Sequence, residues 1–166
     1  NFFKKTLFIC FDIFKFNILY FKIYNFFNKN YIRVVNYHEI NHENIKNLEK
    51  QFKFYSRYFD NCSYDDLDKF LFSKNKLKKP KIIISFDDGL YSQYKLAKNL
   101  LKKYNLTGWF FVPAGFIGTN ASKENLKNDN NKKNKIHYIK KEILYSDQIS
   151  FMSWSNLKEL YKEGHV

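Results

Sequence analysis

The sequence predicts an α/β fold built on a parallel sheet, and three observations carry that reading. Ile82, Ile83 and Ile84 form an unbroken β-branched run, which suits a strand covered on both faces, as in a parallel sheet flanked by helices. Residues 81–112 pass from an apolar stretch through a helical period to a second apolar stretch, the order of a βαβ unit whose crossover is expected to be right-handed. In residues 44–59, Ile45, Leu48, Phe52, Tyr55 and Phe59 recur at spacings of three and four, the stripe of an amphipathic helix. At 166 residues there is room for one domain with a sizeable core and not for two of ordinary size.

Residues 1–30 form an aromatic-rich N-terminal segment, read as a helix. Asp12, Lys15 and Lys22 interrupt it, so it holds no uncharged apolar run of the ~18 residues a spanning helix needs, and no small-residue cleavage site follows. The segment either packs its apolar side on the domain or lies in a membrane interface with its lysines toward headgroups; a degraded signal anchor is the third reading. Residues 31–166 form the main domain. Ile32–Tyr37 is expected to be a buried strand centred on Val34 and Val35, delivering Tyr37 and His38 to its C-terminal end. A histidine there is either a satisfied structural residue or a pocket residue, and His38 is carried forward as a candidate for the pocket. The aromatic stripe of residues 44–59 is read as core. Ser63 and Asp66 have the spacing of a capping box, which predicts a helix over Tyr64–Phe72, closed by a lysine-rich loop over residues 73–80.

Beyond the isoleucine strand, Leu90, Tyr94, Ala97, Leu101 and Tyr104 share one helical face, while Lys95, Lys98, Lys102 and Lys103 are expected to face solvent near the favourable C-terminal end. Asn105 ends that helix, residues 107–112 make the next strand, and Pro113 stops it. Residues 119–136 are polar and of low complexity, hence a loop, and residues 136–144 predict a short helix. Asp129 and Asn131 lack the central glycine and closing acidic residue of a calcium loop, so no calcium site is read there. Ser153 caps a last helix, with Trp154, Leu157, Leu160 and Tyr161 as its expected buried face and Gly164 at its end.

A net charge of +13 with 20% aromatic residues raises the prospect of a nucleic-acid or anionic-membrane partner. The lysines, however, are scattered among Asn, Ile, Phe and Tyr, and Arg33 and Arg57 are the only arginines. We read this as compositional bias and expect no nucleic-acid partner. Cys10 and Cys62 are too far apart in sequence, and too few, to make a zinc site or a disulfide framework. The sequons at Asn61, Asn105 and Asn120 are what an asparagine-rich chain produces by chance. The chain opens on Asn1 and stops at Val166 without a natural tail, so it is expected to be part of a longer protein.

Chemistry concentrates where the isoleucine strand opens into Asp87, Asp88 and Gly89. Asp-Gly after a strand is also an ordinary turn signal. Two adjacent carboxylates at the C-terminal edge of a parallel strand lie where α/β folds place their active sites. Their mutual repulsion is most simply offset by a cation, with one carboxylate as ligand and the other free as a base. The stretch Ser-Phe-Asp-Asp-Gly (85–89) resembles the first motif of the polysaccharide deacetylases, the NodB-homology family, usually written Thr-Phe-Asp-Asp-Gly, with Ser85 in place of the Thr. The resemblance extends to RVVNYHEI (33–40), LAKNLLKKY (96–104), TGWFFVP (107–113) and MSWSNLKELYKEGHV (152–166), and so covers most of residues 32–166.

That resemblance implies the N-terminal portion of a distorted (β/α) barrel and a metal-dependent hydrolysis of N-acetyl amides on a polysaccharide. It implies Asp87 as general base and Asp88 as ligand of a divalent metal, usually zinc. The family's two metal-binding histidines belong to a His-x-x-x-His motif that would lie just beyond Val166; His165 precedes that motif and receives no ligand role. The segment alone is therefore expected to be inactive, and a cell-envelope or membrane-associated location is favoured over a cytoplasmic one. The competing class is a non-catalytic carbohydrate-binding or interaction domain that keeps the fold. A phosphohydrolase using Asp87 as nucleophile fits less well, because that chemistry wants Asp-x-Asp spacing.

Overall fold

The isoleucine run lies in the central strand of a four-stranded parallel sheet. In the computed structural model, the residues described are 16–38, 40, 42–73, 76–118, 120–122 and 148–166. Among them the chain forms α1 (Phe16–Phe27), β1 (Ile32–Tyr37), α2 (Ile45–Tyr58), β2 (Asp60–Asn61), α3 (Tyr64–Phe72) and β3 (Lys81–Asp87). A π-helical turn (Gln93–Ala97) then leads into α4 (Lys98–Lys103), followed by β4 (Gly108–Phe111), a 3-10 turn (Ala114–Phe116), β5 (Asn120–Ser122), β6 (Gln148–Ser150) and α5 (Trp154–Lys162).

β1 pairs with one edge of β3 from Ile32↔Lys81 to Tyr37↔Phe86. The other edge is shared: β2 pairs with Lys81 and Ile82, and β4 takes over from Ile84 to Asp87. Alternation then sorts the side chains of β3. Ile82, Ile84 and Phe86 enter the main core with Leu48, Phe52, Phe59, Ala97 and Leu101. Ile83 points the other way, against Cys62 and Trp109. Phe86 is sandwiched between Tyr37 and Phe110, at centroid distances of 5.7 and 4.7 Å. Burying a side chain of this size stabilises by about 1.5–3 kcal/mol, so this row supplies much of what holds the sheet to its helices.

The local signals hold. Ser63 forms the reciprocal capping box with Asp66 at the start of α3, and Ser153 forms one with Asn156 at the start of α5. α1 packs on the domain through Phe21, whose ring lies 5.1, 5.4 and 5.7 Å from those of Phe54, Tyr58 and Phe59. Its Leu19, Tyr20, Ile23, Phe26 and Phe27 are exposed. No helix among the described residues is long and apolar enough to cross a membrane.

Several expectations are corrected. Val34 is 61% exposed, because β1 sends it to the face opposite α2, where Ile83 beside it is covered and Val34 is not. Lys98 does not face solvent freely; its ammonium is drawn under Glu159 and Glu163 of the α5 region and its side chain is only 15% exposed. Trp154 and Tyr161, expected in the core, are 63% and 80% exposed, and α5 packs instead through Leu160, with Met152 and His165 buried at its two ends. Asn120–Ser122, read as loop, pairs antiparallel with Gln148–Ser150. Residues 1–15, the remainder of the low-complexity loop, Asp129, Asn131 and the helix expected over residues 136–144 lie outside the described residues.

Candidate active site

The β1–β3 register decides which side chains meet. Asn36 lies opposite Ser85 and Tyr37 opposite Phe86, so His38 leaves β1 beside the point where β3 ends in Asp87. The turn that follows is unusual: Asp88 has φ 74° and Gly89 φ 64°, two successive left-handed residues. Gly89 is required on two counts, since a Cβ there would also lie 2.5 Å from Cγ1 of Val112. Asp88 carries a Cβ into the same region, which aspartate, with its short polar side chain, adopts more readily than most non-glycine residues and only as a single residue.

That conformation turns the Asp88 carboxylate to the imidazole: Oδ2 of Asp88 lies 3.2 Å from Nδ1 of His38. Nε2 of the same ring lies 3.9 Å from Oδ2 of Asp87. The side chains of Asp87, Asp88 and His38 are 34%, 31% and 57% exposed, so all three are open to a ligand while partly screened by water. The three residues singled out in the sequence therefore converge on one point at the C-terminal edge of the sheet.

Two further polar residues, not anticipated from the sequence, hold this point in place. Asn36 donates from Nδ2 to Oδ2 of Asp87 at 2.7 Å and accepts from the Ser85 hydroxyl at 3.0 Å. Gln93 is fully buried and donates from Nε2 to the main-chain carbonyls of both His38 and Asp87, while its Oε1 accepts from the Leu90 N–H at 3.1 Å. One side chain thus fastens the end of β1 to both sides of the Asp87–Leu90 turn. The Met152 N–H adds a second clamp, donating to the Gly89 carbonyl at 2.8 Å. A signal for Gln93 was present: it sits three residues after Leu90 and four before Ala97, a polar residue on an otherwise apolar helical face.

His165 stands apart. It is buried, its Nδ1 accepts from the Gly108 N–H at 3.1 Å, and burial holds its pKa below the usual imidazole range. A neutral ring in that seat is structural, and it delivers Val166 to the free edge of β4. There the Val166 N–H donates to the Gly108 carbonyl and the Phe110 N–H to that of Val166.

The donors fit a divalent metal in kind and spacing but not in number. Carboxylate oxygen and imidazole nitrogen are both zinc ligands, and bonds of about 2.0–2.1 Å at a tetrahedral angle place two ligand atoms roughly 3.3 Å apart, near the 3.2 Å between Asp88 Oδ2 and His38 Nδ1. A catalytic zinc takes three protein ligands, and among the described residues no group of three or more such side chains, Asp87, Asp88 and His38 included, is placed to hold a metal ion.

A family model described as polysaccharide deacetylase matches residues 74–166, more than half of the chain; the β1 stretch with Asn36 and His38 precedes the match. No curated protein matches the sequence. Among solved structures, IcaB from Ammonifex degensii is similar at 20% identity and a TM-score of 0.53, over 82% of this chain and 50% of that one. A de-N-acetylase from Aggregatibacter actinomycetemcomitans is similar at 16% identity and 0.52, over 80% and 51%. The Streptococcus pyogenes deacetylase PplD, solved in complex with acetate, is similar at 15% identity and 0.50, over 83% and 54%. The chain spans about half the length of these structures, and at such identities the likeness is one of fold: an α/β sheet that forms part of a larger barrel.

Proposed function

Because the chain belongs to the polysaccharide deacetylase family, we propose that it forms part of an enzyme hydrolysing N-acetyl amides on an amino-sugar polymer, with Asp87 as general base and Asp88 as metal ligand. The observation that carries the reading is the unequal setting of the two carboxylates. Asp87 is held by a neutral amide, Asn36, while Asp88 is twisted into a left-handed turn that aims it at His38. A water placed against Asp87 gives its proton to that carboxylate as its oxygen adds to the amide carbon. Cleavage of the carbon–nitrogen bond, with a proton delivered to nitrogen, releases acetate and leaves a free amine on the sugar. His38 lines the pocket and orients Asp88. A divalent metal at Asp88, zinc by family habit, supplies polarisation of the carbonyl and a more acidic water. With Asp88 as the carboxylate donor in hand, the remaining ligands come from elsewhere in the protein.

Metal content and acetate release, measured together on the full-length protein with N-acetylglucosamine oligomers, test this. Asp88→Ala is expected to lose the metal. Asp87→Asn is expected to keep it and lose about 10²- to 10⁴-fold in rate, the usual contribution of a general base. Equal metal loss in both variants overturns the assignment; a metal-loaded wild type that binds oligomers without releasing acetate makes the domain a carbohydrate-binding module. The outward apolar side of α1, with Lys22 and Lys29 beside it, supports a further part of the proposal: peripheral contact with a membrane and a location at the cell envelope.

A further inference from the structure

The β1–β3 register places Asn36 and Ser85 side by side on the sheet face that also carries Asp87, two residues along from Ser85. The hydrogen bonding there admits one arrangement of the Asn36 amide. An ionised carboxylate only accepts, so the amide end facing Asp87 is the NH₂ group, 2.7 Å from Oδ2. The amide oxygen then faces Ser85, whose hydroxyl donates to it at 3.0 Å. Ser85 is itself buried, which pins the near end of the chain of bonds. Nδ2 of Asn36 also lies 3.4 Å from Nε2 of His38. One neutral amide therefore reaches the carboxylate and the imidazole at once, and leaves the other oxygen of Asp87 for a substrate water.

We propose that Asn36 is a positioning residue for Asp87 and His38, held in its own orientation by Ser85. The proposal rests on the reading of Asp87 as the base. Its chemistry asks for a neutral donor of this shape: an aspartate at position 36 keeps the shape but sets a second carboxylate against Asp87. An alanine there leaves the Asp87 side chain to rotate.

The test is steady-state kinetics and metal content on the full-length protein, with N-acetylglucosamine oligomers as substrate. Asn36→Ala and Asn36→Asp are expected to lower kcat roughly 10- to 100-fold, as for loss of a hydrogen bond to a charged group, with KM and metal content unchanged. Ser85→Ala is expected to lower kcat by less, and Ser85→Thr, which restores the hydroxyl, to recover it. An Asn36→Asp variant with wild-type kcat overturns the proposal, as does a loss of kcat in Asn36→Ala accompanied by loss of metal or by an equal change in KM. A readout independent of turnover separates this from failure of the deacetylase reading. The Asn36 side-chain amide protons are expected to be displaced in the ¹⁵N-resolved NMR spectrum and to move on Asp87→Asn substitution. If they do not move, the positioning role is wrong; if they move while the wild type releases no acetate, the contact stands and the deacetylase reading falls.

Discussion

Gln93 shows what a single buried amide does for a site made from two strands. Its removal in Gln93→Ala takes a partner from three main-chain groups, the part-buried carbonyls of His38 and Asp87 and the buried Leu90 N–H. An unsatisfied buried polar group costs about 1–3 kcal/mol, so with some relaxation we expect roughly 2–4 kcal/mol less stability by urea unfolding, and displacement of His38 from Asp88. Asp66 offers a second residue-level expectation. Burial would raise its pKa, but hydrogen bonds from Lys81 and from the Ser63 N–H and hydroxyl outweigh that and bring it down to about 2. A carboxylate with its pKa depressed in the folded state stabilises above its unfolded pKa, near 4, and that contribution is lost as pH falls toward 2. Thermal melts between pH 5 and about 2 are expected to fall less steeply for Asp66→Asn than for the wild type. Asp87, Asp88 and Gly89 were legible from the sequence because adjacency in the chain is adjacency in the turn. Asn36 was not, because its partners are about fifty residues away and only the strand register brings them together.

Among the elements, α3 was legible to the residue, since a capping box is decided within four residues of chain. α5 was legible in extent but not in orientation. Counting large apolar residues places Trp154 and Tyr161 inward, whereas the helix is turned by Glu159, which receives Lys98 and the Tyr94 hydroxyl, and by Leu160 beneath it. Leu160→Ala is accordingly expected to cost about 2–4 kcal/mol and Trp154→Ala to change stability little, as read by denaturant midpoints. For α1 the sequence left packing and membrane contact as alternatives, and the structure shows packing through Phe21 with Tyr20, Phe26 and Phe27 outward. Deleting residues 1–27 is expected to release the protein from phosphatidylglycerol vesicles in a flotation assay; aggregation of the truncated protein would instead mean that its main task is to cover Phe54 and Tyr58.

For the whole molecule, the α/β class and the central strand were legible from apolar periodicity. The two-residue strand β2 and the sharing of one β3 edge between β2 and β4 were not, because pairings that short leave no period to read. The face of the sheet opposite the main core leaves Val34 and Phe111 61% and 55% exposed, and β1 pairs only with β3 among the described residues. An apolar face beside an unpaired strand edge is a template for association. The chain of 166 residues, taken by itself, is expected to self-associate in light scattering, and Val34→Lys with Phe111→Lys to reduce this. The ladder between β1 and β3 also sets an order of events. Its partners, such as Val34 and Ile83, are separated by α2, β2 and α3, so the entropy of closing that long loop falls due before any of the six pairs is gained. On a ribosome the first strand must wait for the third, while α2 needs only its own neighbours. Pulse-labelled amide exchange during refolding is expected to show α2 protected first, and then Ile32–Tyr37 and Lys81–Asp87 protected in one step, so that His38 and Asp87 come together in the same kinetic event.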